Sequence, residues 1–241
     1  MLLLAHRGAS ADAPENTLAA FQEAVAQGAD GVELDAMLCG SGEVVVCHDE
    51  RLERLVGHPW VVGETSWWKL RGVDVGSRLG FAPANIPLLE EVLDALPPHF
   101  LINIELKCER VDDGGLSVRV AELVARRGLR ERVIISSFNP LCLVRVATAA
   151  PGLRRGYLID PDKRWAPQAY LVSPLVASHS VHPHHTDCTP ERMEAWHRQG
   201  LRVAAWTVDE PARARELEEL GVSYLITNRP GVLRRALRER R

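Results

Sequence analysis

Short apolar runs alternate along this chain with stretches of helical spacing. "LLLA" (2–5) places four apolar residues in a row and predicts a buried strand. From Pro14 onward, Leu18, Phe21 and Val25 fall on one helical face, and Gly28 closes the pattern. "DGVELDAML" (30–38) predicts a second buried strand, and "EVVVCHD" (43–49) an extension of it or a hairpin partner. Residues 88–96 read as helix, 100–108 as strand, 115–128 as a helix ending at glycine, and 132–138 as strand. A further helix starts at Pro140, a strand covers 154–159, the ambiguous stretch 164–175 reads as a short helix, and 176–183 reads as strand. Thr189 as N-cap and Pro190 at the first position open a helix over 189–200. A strand (201–208), a helix (210–221), a strand (222–227) and a C-terminal helix follow.

About eight strand–helix units in series imply parallel strands joined by crossover helices. With 241 residues, near the ~250 typical of the fold, this predicts an α/β TIM (β/α)8 barrel. An open doubly wound sheet is the alternative. No linker divides the chain, so residues 1–241 read as a single domain. Residues 50–87 break the rhythm and predict a small insertion after the second strand, since so long a structureless connection is uncommon. The insertion carries Trp60, Trp67, Trp68 and Phe81. Those aromatics either cap the barrel mouth and limit substrate size, or form the insertion's own small core.

Apolar residues make up 46% and charged residues 25%, with a formal net charge of −3. That balance argues against a protein that coats nucleic acid or an anionic membrane. The basic end "LRRALRERR" reads as a solvated helix whose cations suit its C-terminal dipole. Five scattered cysteines without a CxxC pair fit a reducing compartment. "MLLLA" is too short for a signal peptide, and no apolar run reaches membrane-spanning length. The expectation is a cytoplasmic protein without stable membrane insertion; oligomeric state is not written in the pattern.

In a TIM barrel the active site lies at the C-terminal ends of the strands, and those ends here are polar. His6 and Arg7 end the first strand, Glu33 and Asp35 lie on the second, and His48 ends its hairpin partner. Glu105 and Lys107 lie on the third, Ser136 and Ser137 end the fourth, and His182 ends the sixth. Trp206, a candidate substrate contact, ends the seventh with Thr207. Residues two apart on a strand share a face, so Glu33 joins Asp35, and Glu105 joins Lys107. Charges inside apolar runs need partners or a metal. Three converging carboxylates suit Mg²⁺ or Ca²⁺, with Mn²⁺ a further option; the alternative is an internal ion-pair cluster built on Lys107. His6 and His48 beside such a cluster are candidates for acid and base. In "SHSVHPHHTDC" (178–188) the spacing fits no zinc site, and only His182 is a fair site candidate. Of the 29 basic side chains three are lysines, so Lys107 resists a strong arginine bias.

These residues carry a resemblance. "HRGASADAPENTLAAF", "GADGVELDAML", "VVVCHDERLER", "IPLLEEVLDALP", "LINIELK", "VIISSF", "VAAWTVDE" and "GVSYLITNRP" resemble, in order and spacing, the glycerophosphodiester phosphodiesterase family of bacterial, cytoplasmic type. The resemblance implies metal-dependent hydrolysis of glycerophosphodiesters, small-molecule substrates, to sn-glycerol 3-phosphate and an alcohol. It implies Glu33, Asp35 and Glu105 as metal ligands, His6 and His48 as the acid–base pair, and Arg7 and Lys107 as phosphate-binding cations. Glu15 and Asn16 would hold residues such as Arg7 in place; a simpler reading is helix initiation, with Pro14 in the first turn. Asp209, Ser223, Tyr224 and Leu55 depart from the commoner family pattern. A lysophospholipid or glycerophosphoinositol substrate and a non-catalytic scaffold are the rival readings. Which histidine is acid, and whether water or the substrate's C2 hydroxyl attacks first, stay open at this point.

Overall fold

The computed structural model describes residues 1–108, 110–160 and 176–239. Among them nine strands make one sheet: β1 (Leu2–His6), β2 (Gly31–Leu38), β3 (Val44–Val46), β4 (Leu101–Leu106), β5 (Val133–Ser137), β6 (Arg154–Ile159), β7 (Ser180–Pro183), β8 (Arg202–Ala205) and β9 (Tyr224–Thr227). All but β3 pair in parallel, and β1 bonds both β2 and β9, so the sheet closes into a TIM barrel. β3 runs antiparallel to the far end of β2, with Ala36 opposite Val46. The expected barrel is therefore observed, and the open sheet is not.

Helices α1 (Leu18–Ala26), α2 (Glu53–Val56), α3 (Trp67–Leu70), α4 (Leu89–Ala95), α5 (Leu116–Arg126), α6 (Pro140–Ala149), α7 (Pro190–Arg198), α8 (Pro211–Glu219) and α9 (Pro230–Arg238) follow in chain order. Asn139 and Thr189 cap α6 and α7 with their side chains, each with proline at the first helical position.

Strand alternation decides what faces the site. Val32, Leu34 and Ala36 of β2 and Ile102, Ile104 and Leu106 of β4 pack against Phe21, Val92, Leu93, Val120 and Val124 of the helices. Glu33, Asp35, Asn103 and Glu105 therefore point to the opposite face, into the barrel. Lower in the barrel that face is apolar, filled by Leu4, Ile134, Ala204, Tyr224 and Ile226. Truncating a fully buried side chain of the outer layer, such as Leu34, costs ~2–5 kcal/mol.

The segment between β3 and α4 holds α2 and α3. Trp67, Leu52, Leu55, Val62 and Leu70 bury themselves with Met37, Cys39, Val45 and Cys47 of the β2–β3 hairpin, and Trp60 packs alongside. Trp68 is 73% exposed, and Phe81 is half-buried. Trp60 and Trp67 thus build the segment's own small core, and it is Arg54 and Leu55 that reach towards the site.

Two boundaries differ most from expectation, by four residues each. Helix α1 starts at Leu18, not Pro14, with Thr17 as its N-cap. Asn16 adopts a left-handed φ of 57°, which ends any helical run before it. Strand β7 starts at Ser180, not at 176, where the chain's backbone first pairs with Gly156 of β6. The helix expected over 164–175 falls outside the described residues.

Candidate active site

His6 and Arg7 leave β1 through a tight turn. Arg7 takes a left-handed φ of 55°, and Gly8 a φ of 83°. A Cβ on Gly8 would come within 2.6 Å of Ala20, so only glycine lets the turn press against α1. Non-glycine residues in left-handed conformation gather at functional sites, and both of those found here, Arg7 and Asn16, touch the acidic cluster.

Glu33, Asp35 and Glu105 offer carboxylate oxygens that lie within 4.8 Å of one another. All three side chains are buried. Arg7 Nε approaches Asp35 Oδ2 at 3.2 Å, and Lys107 Nζ lies 2.8 Å from Glu105 and 3.7 Å from Asp35. Asn16 clamps Asp35 from both ends: its Nδ2 donates to Oδ2 at 2.8 Å, and its Oδ1 accepts the Asp35 N–H. Glu15 accepts from Arg7 Nη1 at 2.9 Å. Glu15 therefore holds Arg7, while Asn16 holds Asp35, and neither belongs to the helix that follows. Lys107, placed between two carboxylates, satisfies the ion-pair arrangement and still presents its ammonium at the cluster's rim.

Charge bookkeeping singles out Glu33. Burial pushes its carboxyl well above the usual range, and the charges of Asp35 and Glu105 push it further. Burial also acts to raise Asp35, but Arg7 and Lys107 outweigh it and hold the group low. Burial raises Glu105 more than Lys107 lowers it. Three buried acids share two cations, so one charge lacks a partner. An all-oxygen donor set with an excess negative charge fits a hard divalent cation, whose binding would remove the repulsion.

The two histidines are pinned alike. His6 Nδ1 lies 2.7 Å from Asn228 Oδ1, which also accepts from Ser10 Oγ. Asn228 Nδ2 donates to Asp209 Oδ2 at 2.7 Å, and the Asn228 N–H donates to Asp209 Oδ1. That carboxylate can only accept, so the amide orientation is set and His6 carries its proton on Nδ1. Its Nε2 faces Glu33 at 3.9 Å. Burial, reinforced by Arg7, lowers the His6 pKa to about 4, so the ring is neutral at neutral pH. His48 Nδ1 lies 2.7 Å from Asp49 Oδ1; the carboxylate again fixes the proton on Nδ1 and leaves Nε2 free.

A cavity of about 320 Å³ opens beside His6 and Arg7, lined by Ser10, Glu15, Asp209, Asn228 and Arg229 among others. Trp206 shares no hydrogen bond with this network. Its Nε1 donates to the His182 carbonyl, and its ring meets Phe138 and His184 edge-on. His182 is fully buried, and burial lowers its pKa to about 3. Its ring fills the space left by Gly156, where a Cβ would lie 2.3 Å from Nε2, and bonds Ser180. It is a barrel-interior residue, not one at the mouth. Ser10, Asp49, Asp209 and Asn228 escaped the sequence reading as site residues. Only Asp49, adjacent to His48, carried a visible signal.

Acids, cations and imidazoles at the strands' C-terminal ends place the molecule among the TIM-barrel enzymes, which work at that face. The sequence narrows the class. Residues 6–232 match the Glycerophosphoryl diester phosphodiesterase family, and the chain belongs to it. A glycerophosphodiester phosphodiesterase of Caldanaerobacter subterraneus subsp. tengcongensis is 35% identical over 240 residues, covering 96% of each chain. A Bacillus altitudinis glycerophosphodiester phosphodiesterase is 31% identical, covering 95% of this chain and 94% of the relative. Among solved structures, an Oleispira antarctica phosphodiesterase in complex with the product sn-glycerol-3-phosphate superimposes with a TM-score of 0.84. It is 27% identical and is matched over 99% of this chain and 97% of its own. Among the described residues no helix is long and apolar enough to cross a membrane.

Proposed function

We propose that this chain hydrolyses glycerophosphodiesters to sn-glycerol 3-phosphate and an alcohol, and does so with a divalent cation and two histidines. The observation that carries the reading is the buried Glu33–Asp35–Glu105 cluster flanked by Arg7 and Lys107. Glu33, Asp35 and Glu105 would hold the cation, which supplies Lewis-acid stabilisation of charge on a phosphate oxygen. Arg7 and Lys107 bind the non-bridging oxygens and stabilise the charge that builds on them.

The hydrogen bonds divide the proton work. His6 is bonded through Nδ1 to a neutral amide and sits beside a guanidinium, so its Nε2 is a lone pair ready to accept a proton. His48 is held through Nδ1 by the Asp49 carboxylate, which aims its Nε2 into the site, and we assign it the donor role opposite His6. His6 takes the proton of the attacking hydroxyl as the new P–O bond forms. His48 gives its proton to the leaving alkoxide as the old P–O bond breaks. With the substrate's C2 hydroxyl as nucleophile the product is a five-membered cyclic phosphate, which water opens with the two roles reversed. With water as nucleophile one displacement suffices, and the residues act as described.

The cavity beside His6, where the attacking hydroxyl would lie, is lined by polar side chains apart from Ala11, and Trp60 and Trp67 pack in the segment's own core rather than offering an acyl-chain site. The free cysteines suit a cytoplasmic enzyme. The test is release of sn-glycerol 3-phosphate from glycerophosphocholine, glycerophosphoinositol and a lysophospholipid in parallel. The first two are expected as substrates; release from none would refute the reading.

A further inference from the structure

Arg54 has no part in the chemistry described above, yet its side chain joins two halves of the site. It lies on α2, in the segment between β3 and α4, and its side chain is 45% exposed. Its Nε donates to Asp49 Oδ2 at 2.7 Å. Its Nη1 and Nη2 donate to Glu15 Oε2 and Oε1 at 2.9 and 2.7 Å. Each carboxylate grips a reactive residue with its remaining capacity: Asp49 Oδ1 takes His48 Nδ1 at 2.7 Å, and Glu15 Oε1 takes Arg7 Nη1 at 2.9 Å. A continuous chain His48–Asp49–Arg54–Glu15–Arg7 thus spans from the end of β3 to the end of β1.

We propose that Arg54 is a positioning residue that fixes the proton donor His48 relative to the phosphate-binding Arg7, a role that rests on the hydrolase reading of the site. Only a guanidinium presents three donors in a planar fork wide enough to serve two carboxylates at once. An ammonium at the same place would satisfy one and release the other. Both carboxylates respond to the arrangement. Burial acts to raise Glu15 and Asp49, and hydrogen bonds from Arg54, with Arg7 and His48, outweigh it and hold both low. Neighbouring Arg51 offers the contrast: its side chain bonds Glu53 at the start of α2 and, among the described residues, no residue of the site.

The contribution to catalysis and the contribution to stability separate cleanly. The partial exposure of Arg54 limits what its ion pairs add to folding, whereas a displacement of ~1 Å at a reacting group can cost ~10²-fold in rate. Arg54→Met, Arg54→Lys and Arg51→Met are assayed with glycerophosphocholine, alongside thermal unfolding and the NMR signal of the His48 Nδ1–H in the metal-free protein. Arg54→Met is expected to lose ~10–100-fold in kcat while its unfolding midpoint moves by no more than a few degrees, about what loss of such a pair allows. Arg54→Lys is expected to fall between it and wild type, and Arg51→Met to match wild type. The hydrogen-bonded His48 Nδ1–H signal is expected in wild type and lost or broadened in Arg54→Met. Combining Arg54→Met with Asp49→Asn should cost little more than the worse single change, because both cut one chain. Wild-type kcat in Arg54→Met overturns the proposal, as does a His48 signal that survives the substitution unchanged. A wild-type protein that releases no sn-glycerol 3-phosphate would refute the hydrolase reading, while the His48 signal still decides the role of Arg54.

Discussion

Replacing Glu33 with glutamine should make the metal-free protein more stable and abolish its activity. Glu33 is the acid without a cation of its own: Arg7 pairs with Asp35, and Lys107 with Glu105. Two unit charges within 4.8 Å of each other repel by at least ~3.5 kcal/mol at an effective dielectric constant of about 20. Part of that is relieved when Glu33 takes up a proton, so the net gain from removing the charge is ~1–3 kcal/mol. For a chain of this length that is about 2–12 °C in unfolding midpoint. The sign depends on pH. A carboxyl whose folded pKa is raised contributes stability that is fully present below the unfolded value near 4.3 and is lost as pH rises through the folded value. Glu33→Gln should therefore match wild type near pH 4 and exceed it increasingly towards pH 8. Added Mg²⁺ or Ca²⁺ at ~1,000 times its Kd should stabilise wild type by ~4.1 kcal/mol and the variant far less, so the order of stability reverses. Thermal unfolding with EDTA and with added cation, at pH 4 and pH 8, measures all of this. A variant that is less stable than wild type without metal at pH 8, or that gains as much from the cation, would refute the reasoning.

Other outcomes follow from the same geometry. His6→Ala and His48→Ala should each lower kcat by ~10²–10⁴-fold, with the double variant losing far less than the product; near-normal rates in both singles would rule out the two-histidine scheme. Lys107→Arg should keep the fold and metal binding yet lose ~10²-fold in kcat, because the wide guanidinium cannot occupy the ammonium's place between Glu105 and Asp35; wild-type turnover would reduce Lys107 to an ion-pair partner. Asp74, held down to about 2 by Ser77 and by backbone N–H groups, contributes stability above its unfolded pKa near 3.9 that is lost as pH falls towards 2. Fluorescence of Trp67 in the segment's core should report loosening over that range in wild type but not the same transition in Asp74→Ala; coincident acid curves would exclude the role.

Much of this was legible because strands carry a period of two. Glu33, Asp35, Glu105 and Lys107 stand out as charges in otherwise apolar runs, and the outer apolar alternates on β2 and β4 show which face they take. Local signals also placed the start of α6 at Pro140 and the Thr189 cap of α7. What stayed hidden is tertiary. Asn16 leaves helical geometry to grip Asp35, 19 positions away, and no propensity in "PENT" encodes that. Asp209 and Asn228 meet only once β8 and β9 lie side by side, and together they fix the His6 tautomer across 222 positions. His182 reads as a strand-end histidine because nothing local reveals that Gly156 on the next strand leaves room for its ring. The segment's tryptophans were equally compatible with two packings until their partners on the β2–β3 hairpin were known.

The central claim is that the acidic cluster holds a catalytic divalent cation. It is tested most directly by measuring sn-glycerol 3-phosphate release from glycerophosphocholine by protein stripped with EDTA, verified metal-free, and then supplied with Mg²⁺, Ca²⁺ or Mn²⁺ in turn. Activity should vanish on stripping and return with at least one of these cations, and Glu33→Gln should not be restored by any of them. Full turnover by verified metal-free protein would contradict the account.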